Sequence, residues 1–196
     1  MFNTTLERYN DFMKLIELHG LNLSDDIVKW LADNSFFTAP ASTKYHGAYT
    51  GGLYDHSRAV YERLVKLTKD NNLYWQRPQS PFIIGMFHDL CKCDQYVKTM
   101  QPLAPYITES TAKYETFEYN TNTLLKGHGT KSLMILSRLM TLTEEEMLCI
   151  RYHMGAYGND AEQKTEWAGF DAAIHRYENV LWVHHADQLA SKVDNI

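Results

Sequence analysis

His88 and Asp89 stand side by side in the apolar stretch FIIGMFHDLCK. Burying a carboxylate is costly unless a cation or strong donors compensate it, so this pair points to a bound cation. A core histidine beside an aspartate that caps the helix or pairs with Lys92 would also account for the pair alone. Four further positions weigh against that alternative. His56 lies in GGLYDHS, His128 between glycines in KGHGTKS, His153 in RYHMG, and Asp187 in the apolar run VLWVHHADQLA. Each histidine singly suits a structural or surface role, but six such positions on five expected core segments form a pattern. Imidazoles with carboxylates suit Mn²⁺, Fe²⁺, Co²⁺, Ni²⁺ or Zn²⁺ better than Ca²⁺. The set needs no cysteine, which disfavours a structural zinc finger. Two ions could share Asp89 as a bridge, with a hydroxide between them.

The elements that must position these residues are mostly helical. Leu6, Tyr9, Phe12, Met13 and Ile16 form one stripe, and Gly20 is a natural stop. Ser24 before Asp25 and Asp26 predicts an N-cap for a helix through Asp33. Residues 36–52 predict an ordered loop, followed by a long helix from Tyr54 to Asn71 with His56, Val60, Leu64 and Leu67 on one face. Phe82 to Cys91 is apolar on every side and predicts a short central helix carrying His88 and Asp89. Residues 94–126 hold Pro102 and Pro105, then the aromatic run Tyr114, Phe117 and Tyr119, which predicts a loop with a small β-hairpin. Helices are expected at His128–Met140 and Glu144–Met154, the second with a capping box from Thr143 to Glu146 and His153 in its last turn. A loop over 158–166 and a final helix, Asn179–Lys192, complete a mainly α fold. The whole chain, 1–196, is expected to form one domain, with N-terminal helices (1–35) packing on a core of residues 36–194.

Composition narrows the function classes. The chain has 196 residues, 44% of them hydrophobic, and a formal net charge of −5. That charge argues against an extensive nucleic-acid surface but allows a phosphorylated substrate, because bound cations invert the local field. No run approaches the ~20 apolar residues of a spanning helix, and MFNTTLERYN carries no secretory signal. Cys91, Cys93 and Cys149 read as reduced thiols, so a cytoplasmic protein without membrane association is expected. His19 and His175 read as surface residues and His46 as a pocket-lining candidate, while at most one of His184 and His185 can share the direction of Asp187. Met134, Met140, Met147 and Met154 read as core filling, and Glu144 to Glu146 as a first-turn preference.

The order H…HD…H…H…D, with HDLCK close to HD-x-x-K, resembles the HD superfamily of metal-dependent phosphohydrolases. HGAYTGGLYDHS, HDLCK, GHG, YHMG and HHADQLASKVD together look like the HD domain of bacterial 3′–5′ exoribonucleases, and closer still like small stand-alone bacterial and phage HD hydrolases. The resemblance implies an HD-domain helical bundle and assigns His56, His88, Asp89 and Asp187 to the four-ligand core. It assigns His128 and His153 to the two further histidines of two-metal members. His153 is followed by Met154 where some such relatives carry a second histidine, and neither an HD-GYP motif nor an OB domain is present. The implied cofactors are two divalent transition-metal ions. The implied activity is hydrolysis of a phosphate ester in a nucleotide or short oligonucleotide by a metal-activated hydroxide. Asp89 and Lys92 are the expected catalytic residues, and Lys131, Arg58 and Tyr49 the expected substrate contacts. Residues 94–126 and 155–170 are expected to shape specificity. A di-iron oxygenase acting on a small organic substrate and a non-catalytic metal-binding regulatory domain are the alternatives.

Overall fold

The computed structural model of the chain describes residues 2–102, 113–157 and 163–196. Among them are eight α-helices and one two-stranded antiparallel sheet, so the fold is mainly α with a small hairpin. The first helix, α1 (Thr5–Leu18), opens on a capping box formed by Thr4 and Glu7. It buries Arg8, Phe12, Leu15 and Ile16. Leu6 and Met13, expected on that face, are exposed, because the buried stripe is centred on the line through positions 8, 12, 15 and 16. The next helix, α2 (Asp25–Asp33), has Ser24 at its N-cap, but the Ser24 hydroxyl makes no capping bond. An irregular segment carrying the buried Phe36 and Phe37 then leads into α3 (Gly52–Asn71).

Helix α4 (Ser80–Phe87) has Pro81 in its first turn, and all eight of its residues are buried. It ends earlier than its apolar run predicts. Asp89 leaves helical geometry at φ −109 and ψ 23, and Leu90–Cys93 continue as a 3-10 turn. The break turns the Asp89 carboxylate out of the helix line. Helix α3 packs against both α4 and α8, and Gly85 permits the close approach. A Cβ there would lie 2.5 Å from Tyr61 Cα.

Strands β1 (Tyr96–Pro102) and β2 (Lys113–Tyr119) pair in register from Tyr96 opposite Tyr119 to Pro102 opposite Lys113. Pro105 and the rest of 103–112 lie outside the described residues. Helix α5 (Gly129–Leu139) follows with His128 at its N-cap, then α6 (Glu144–Arg151), whose Thr143–Glu146 capping box is formed. A Cβ on Gly129 would fall 2.2 Å from the Arg151 carbonyl oxygen, so only glycine lets the start of α5 meet the end of α6. His153 therefore lies two residues beyond α6, not in its last turn. The acidic run does more than start the helix. Glu146 is fully buried against Arg77 and Ser80, and Glu145 accepts from Gln76 and Asn179.

Residues 158–162 of the expected loop lie outside the described residues. Its remainder is helical, because a helix absent from the sequence reading, α7 (Gln163–Arg176), begins at Gln163. Its pattern is weak: Phe170 and Ala173 are buried while Trp167 is half exposed. The chain closes with α8 (Asn179–Lys192). One apolar cluster joins residues from α1 to α8, with Phe12, Phe36, Phe37, Phe82 and Phe87 packed edge-on and stacked. Met134 and Met147 are exposed and do not fill this core. His19 is not a free surface residue either. Its Nε2 lies 2.5 Å from the Tyr61 hydroxyl, and its ring packs on Phe82. No described helix is long and apolar enough to cross a membrane.

Candidate metal centre

Five elements deliver polar side chains to one buried point. Helix α3 supplies His56, the end of α4 supplies His88 and Asp89, the start of α5 supplies His128, the residues after α6 supply His153, and α8 supplies Asp187. The Asp89 carboxylate is their common partner. Its Oδ2 lies 3.3 Å from His88 Nε2 and 3.6 Å from His56 Nε2. Its Oδ1 lies 3.3 Å from His128 Nδ1 and 3.4 Å from His153 Nε2. Asp187 Oδ1 completes the His56 side at 3.1 Å from Nε2.

The orientation of three rings is fixed by main-chain oxygens. His56 Nδ1 donates to Ile196 at 2.9 Å, His88 Nδ1 to Gly85 at 2.9 Å, and His153 Nδ1 to Ile150 at 2.8 Å. A main-chain oxygen can only accept, so each neutral ring has its proton on Nδ1 and a lone pair on Nε2. These three Nε2 atoms are buried and have no hydrogen-bond partner among the described residues. Lone pairs facing carboxylate oxygens are stable only with a proton or cation between them. The spacing suits a cation: a four-coordinate ion with bonds of about 2.1 Å separates neighbouring donors by about 3.4 Å. The donors fall into three overlapping groups that could hold an ion: His56, His88 and Asp187; His88, Asp89 and His153; and Asp89, Cys91 and His128.

The local field holds the acids ionised. Burial works against charge at Asp89, but the Lys92 ammonium and then His88, His128 and His153 keep its carboxyl well below the usual carboxylate range. Asp187 is likewise held low, with His56 outweighing burial. Burial pushes the His88 imidazole down. It also opposes charge on His153, where the nearby Asp89 carboxylate prevails and raises the value. Burial, then His56 and Lys92, lower His46 to about 4. Burial pushes the Cys91 thiol up to about 12.

The remaining expected site residues divide into two groups. Lys92 is buried with Nζ 2.6 Å from Asp89 Oδ2, so the Asp89–Lys92 pairing foreseen as an alternative is present within the cluster. Lys131 is buried, paired with Asp94 and 3.0 Å from Thr123 Oγ1. It lines, with His128, Gln95 and Asn120, a cavity of about 410 Å³. Arg58 and Tyr49 are not brought to the cluster. Arg58 pairs with Asp11 at 3.1 Å and Glu62 at 2.7 Å. The Tyr49 hydroxyl donates to Asp55, which also takes Arg8. His46 stacks 5.0 Å from His56.

His184 donates to the His153 carbonyl at 2.8 Å and so braces that segment, while His185 packs on Trp182. His175 is exposed on α7. Cys91 is the member the sequence reading left out. Its Sγ lies 3.4 Å from His128 Nδ1 and 3.8 Å from Asp89 Oδ1. The only signal for it is its place two residues after Asp89, and that becomes informative only once the helix breaks there.

No family model, no curated protein and no solved structure matches the chain. The buried histidine and aspartate groups could hold metal ions, an arrangement compatible with an HD-type centre.

Proposed function

We propose that the chain is a divalent-metal-dependent phosphohydrolase acting on a nucleotide or short oligonucleotide. The observation that supports this best is Asp89, whose two oxygens each face two imidazoles while a buried ammonium contacts the same carboxylate. Two ions would be held among His56, His88, Asp89, His128, His153 and Asp187. Mn²⁺, Fe²⁺, Co²⁺, Ni²⁺ and Zn²⁺ all suit these donors. Bound ions supply an activated water and polarise a phosphoryl oxygen.

The chain's own residues do the rest. Asp89 fixes the two halves of the centre relative to each other. The main-chain oxygens of Ile196, Gly85 and Ile150 hold the imidazoles in the ligating tautomer. Lys92 places positive charge beside the carboxylate, where a phosphoryl group gains electrostatic stabilisation. The cavity beside His128 has the size of small-molecule sites, about 300–1,000 Å³, and Lys131 in its wall supplies a further cation. The test is a hydrolysis screen of nucleotides and short oligonucleotides with Mn²⁺ under anaerobic conditions. Release of phosphate or cleaved phosphodiester is expected. Iron-dependent oxygen consumption without hydrolysis would replace this reading with oxygenase chemistry, and metal binding without any turnover would replace it with a regulatory domain.

A further inference from the structure

We infer that Cys91 is a metal ligand, joining Asp89 Oδ1 and His128 Nδ1 in a three-donor set. The inference rests on reading the cluster as a metal centre and adds to it a thiolate that the histidine–aspartate pattern does not contain.

The geometry selects this thiol. Cys91 Sγ lies 3.4 Å from His128 Nδ1 and 3.8 Å from Asp89 Oδ1, and that oxygen lies 3.3 Å from His128 Nδ1 and 3.4 Å from His153 Nε2. A tetrahedral ion with bonds of about 2.3 Å to sulfur and about 2.1 Å to nitrogen separates those donors by about 3.6 Å, and two nitrogen or oxygen donors by about 3.4 Å. The three edges of the triangle formed by Asp89 Oδ1, Cys91 Sγ and His128 Nδ1 fall close to these lengths. A second observation is independent of the cysteine: His153 Nε2 is fully buried, has no hydrogen-bond partner among the described residues, and faces the same Asp89 oxygen. The 3-10 turn Leu90–Cys93 makes the convergence possible, and the Ser132 hydroxyl accepts from the Cys91 amide at 3.0 Å to hold it.

On coordination the sulfur exchanges its hydrogen for the metal and the proton leaves to solvent. No electron is transferred. A thiolate makes this ion position softer than an all-nitrogen-and-oxygen site, favouring Zn²⁺ or Co²⁺ over Mn²⁺.

Cobalt tests the assignment. Metal-free full-length protein is titrated anaerobically with Co²⁺ and followed by absorption. Visible ligand-field bands report cobalt in the centre, whereas a near-ultraviolet sulfur-to-cobalt charge-transfer band reports a thiolate ligand. The charge-transfer band is expected in the wild type and in a Cys93→Ser/Cys149→Ser double variant, where Cys91 is the sole thiol. It is expected to vanish in Cys91→Ser while the ligand-field bands persist. Ligand-field bands without the charge-transfer band in the wild type, or a charge-transfer band surviving Cys91→Ser, would overturn the assignment and leave the metal centre standing. No cobalt spectrum at all would overturn both. If Cys91→Ser does not fold, the double variant still decides, because loss of the band there refutes Cys91 as the ligand.

Discussion

At Asp89 one carboxylate faces four imidazoles and an ammonium, and each of these neighbours has a separable role. Lys92→Met removes the cation while leaving every proposed metal donor in place. In the metal-loaded protein it should lower phosphate-ester turnover about tenfold or more, equivalent to about 1.4 kcal/mol of barrier, with bound metal unchanged. Equal kcat in the variant would remove Lys92 from the chemistry. His46 offers a pH readout. Its folded value of about 4 lies below the unfolded value of about 6.5. The folded state thus resists a proton that the unfolded chain accepts, and stability present above the unfolded value is lost as pH falls towards the folded one. Urea midpoints of metal-free protein at about pH 7 and about pH 5, which bracket the unfolded value, should differ less in His46→Gln than in the wild type. At this scale the sequence is informative where a polar residue interrupts an apolar run, as with His88, Asp89 and Asp187. It is silent on partners distant in the chain. Arg58 looks free for substrate until Asp11, 47 positions away, is seen to hold it.

Between elements, the centre depends on α3, which must stay seated against α1, α4 and α8. Arg8 of α1 and Asp55 of α3 form a buried bidentate ion pair at 2.8 and 3.0 Å, one residue before His56. Arg8→Ala leaves that carboxylate uncompensated and should cost about 3–5 kcal/mol of stability, read from chemical denaturation. A loss within experimental error would mean that the pair does not seat α1 on α3. Gly85→Ala drives a methyl into the Tyr61 backbone. It should destabilise by about 1–3 kcal/mol and weaken metal binding by separating His56 from His88. Unchanged cobalt affinity would contradict the role given to this contact. A helix start marked by a cap, such as the Thr143–Glu146 box of α6, is legible in the sequence. The early end of α4 is not, because apolar residues flank His88 and Asp89 on both sides and nothing local announces a break at Asp89. Helix α7 escapes for the opposite reason, having too few buried apolar residues to set a period.

For the molecule as a whole, five elements far apart in sequence converge on one charged, buried point, so metal binding and folding should be linked. An ion at about 100 times its dissociation constant should stabilise the fold by about 2.7 kcal/mol, visible as a higher Tm on adding Zn²⁺ or Mn²⁺ and a lower one with a chelator. The mainly α architecture was open to periodicity and capping signals, whereas the approach of four imidazoles to Asp89 at 3.3–3.6 Å is a property of the tertiary fold alone. The most direct test is elemental analysis of the protein purified without chelator, beside Asp89→Ala. About two divalent transition-metal ions per chain are expected in the wild type and none in the variant. A wild type free of metal, or a variant that retains the same content, would contradict the metal centre.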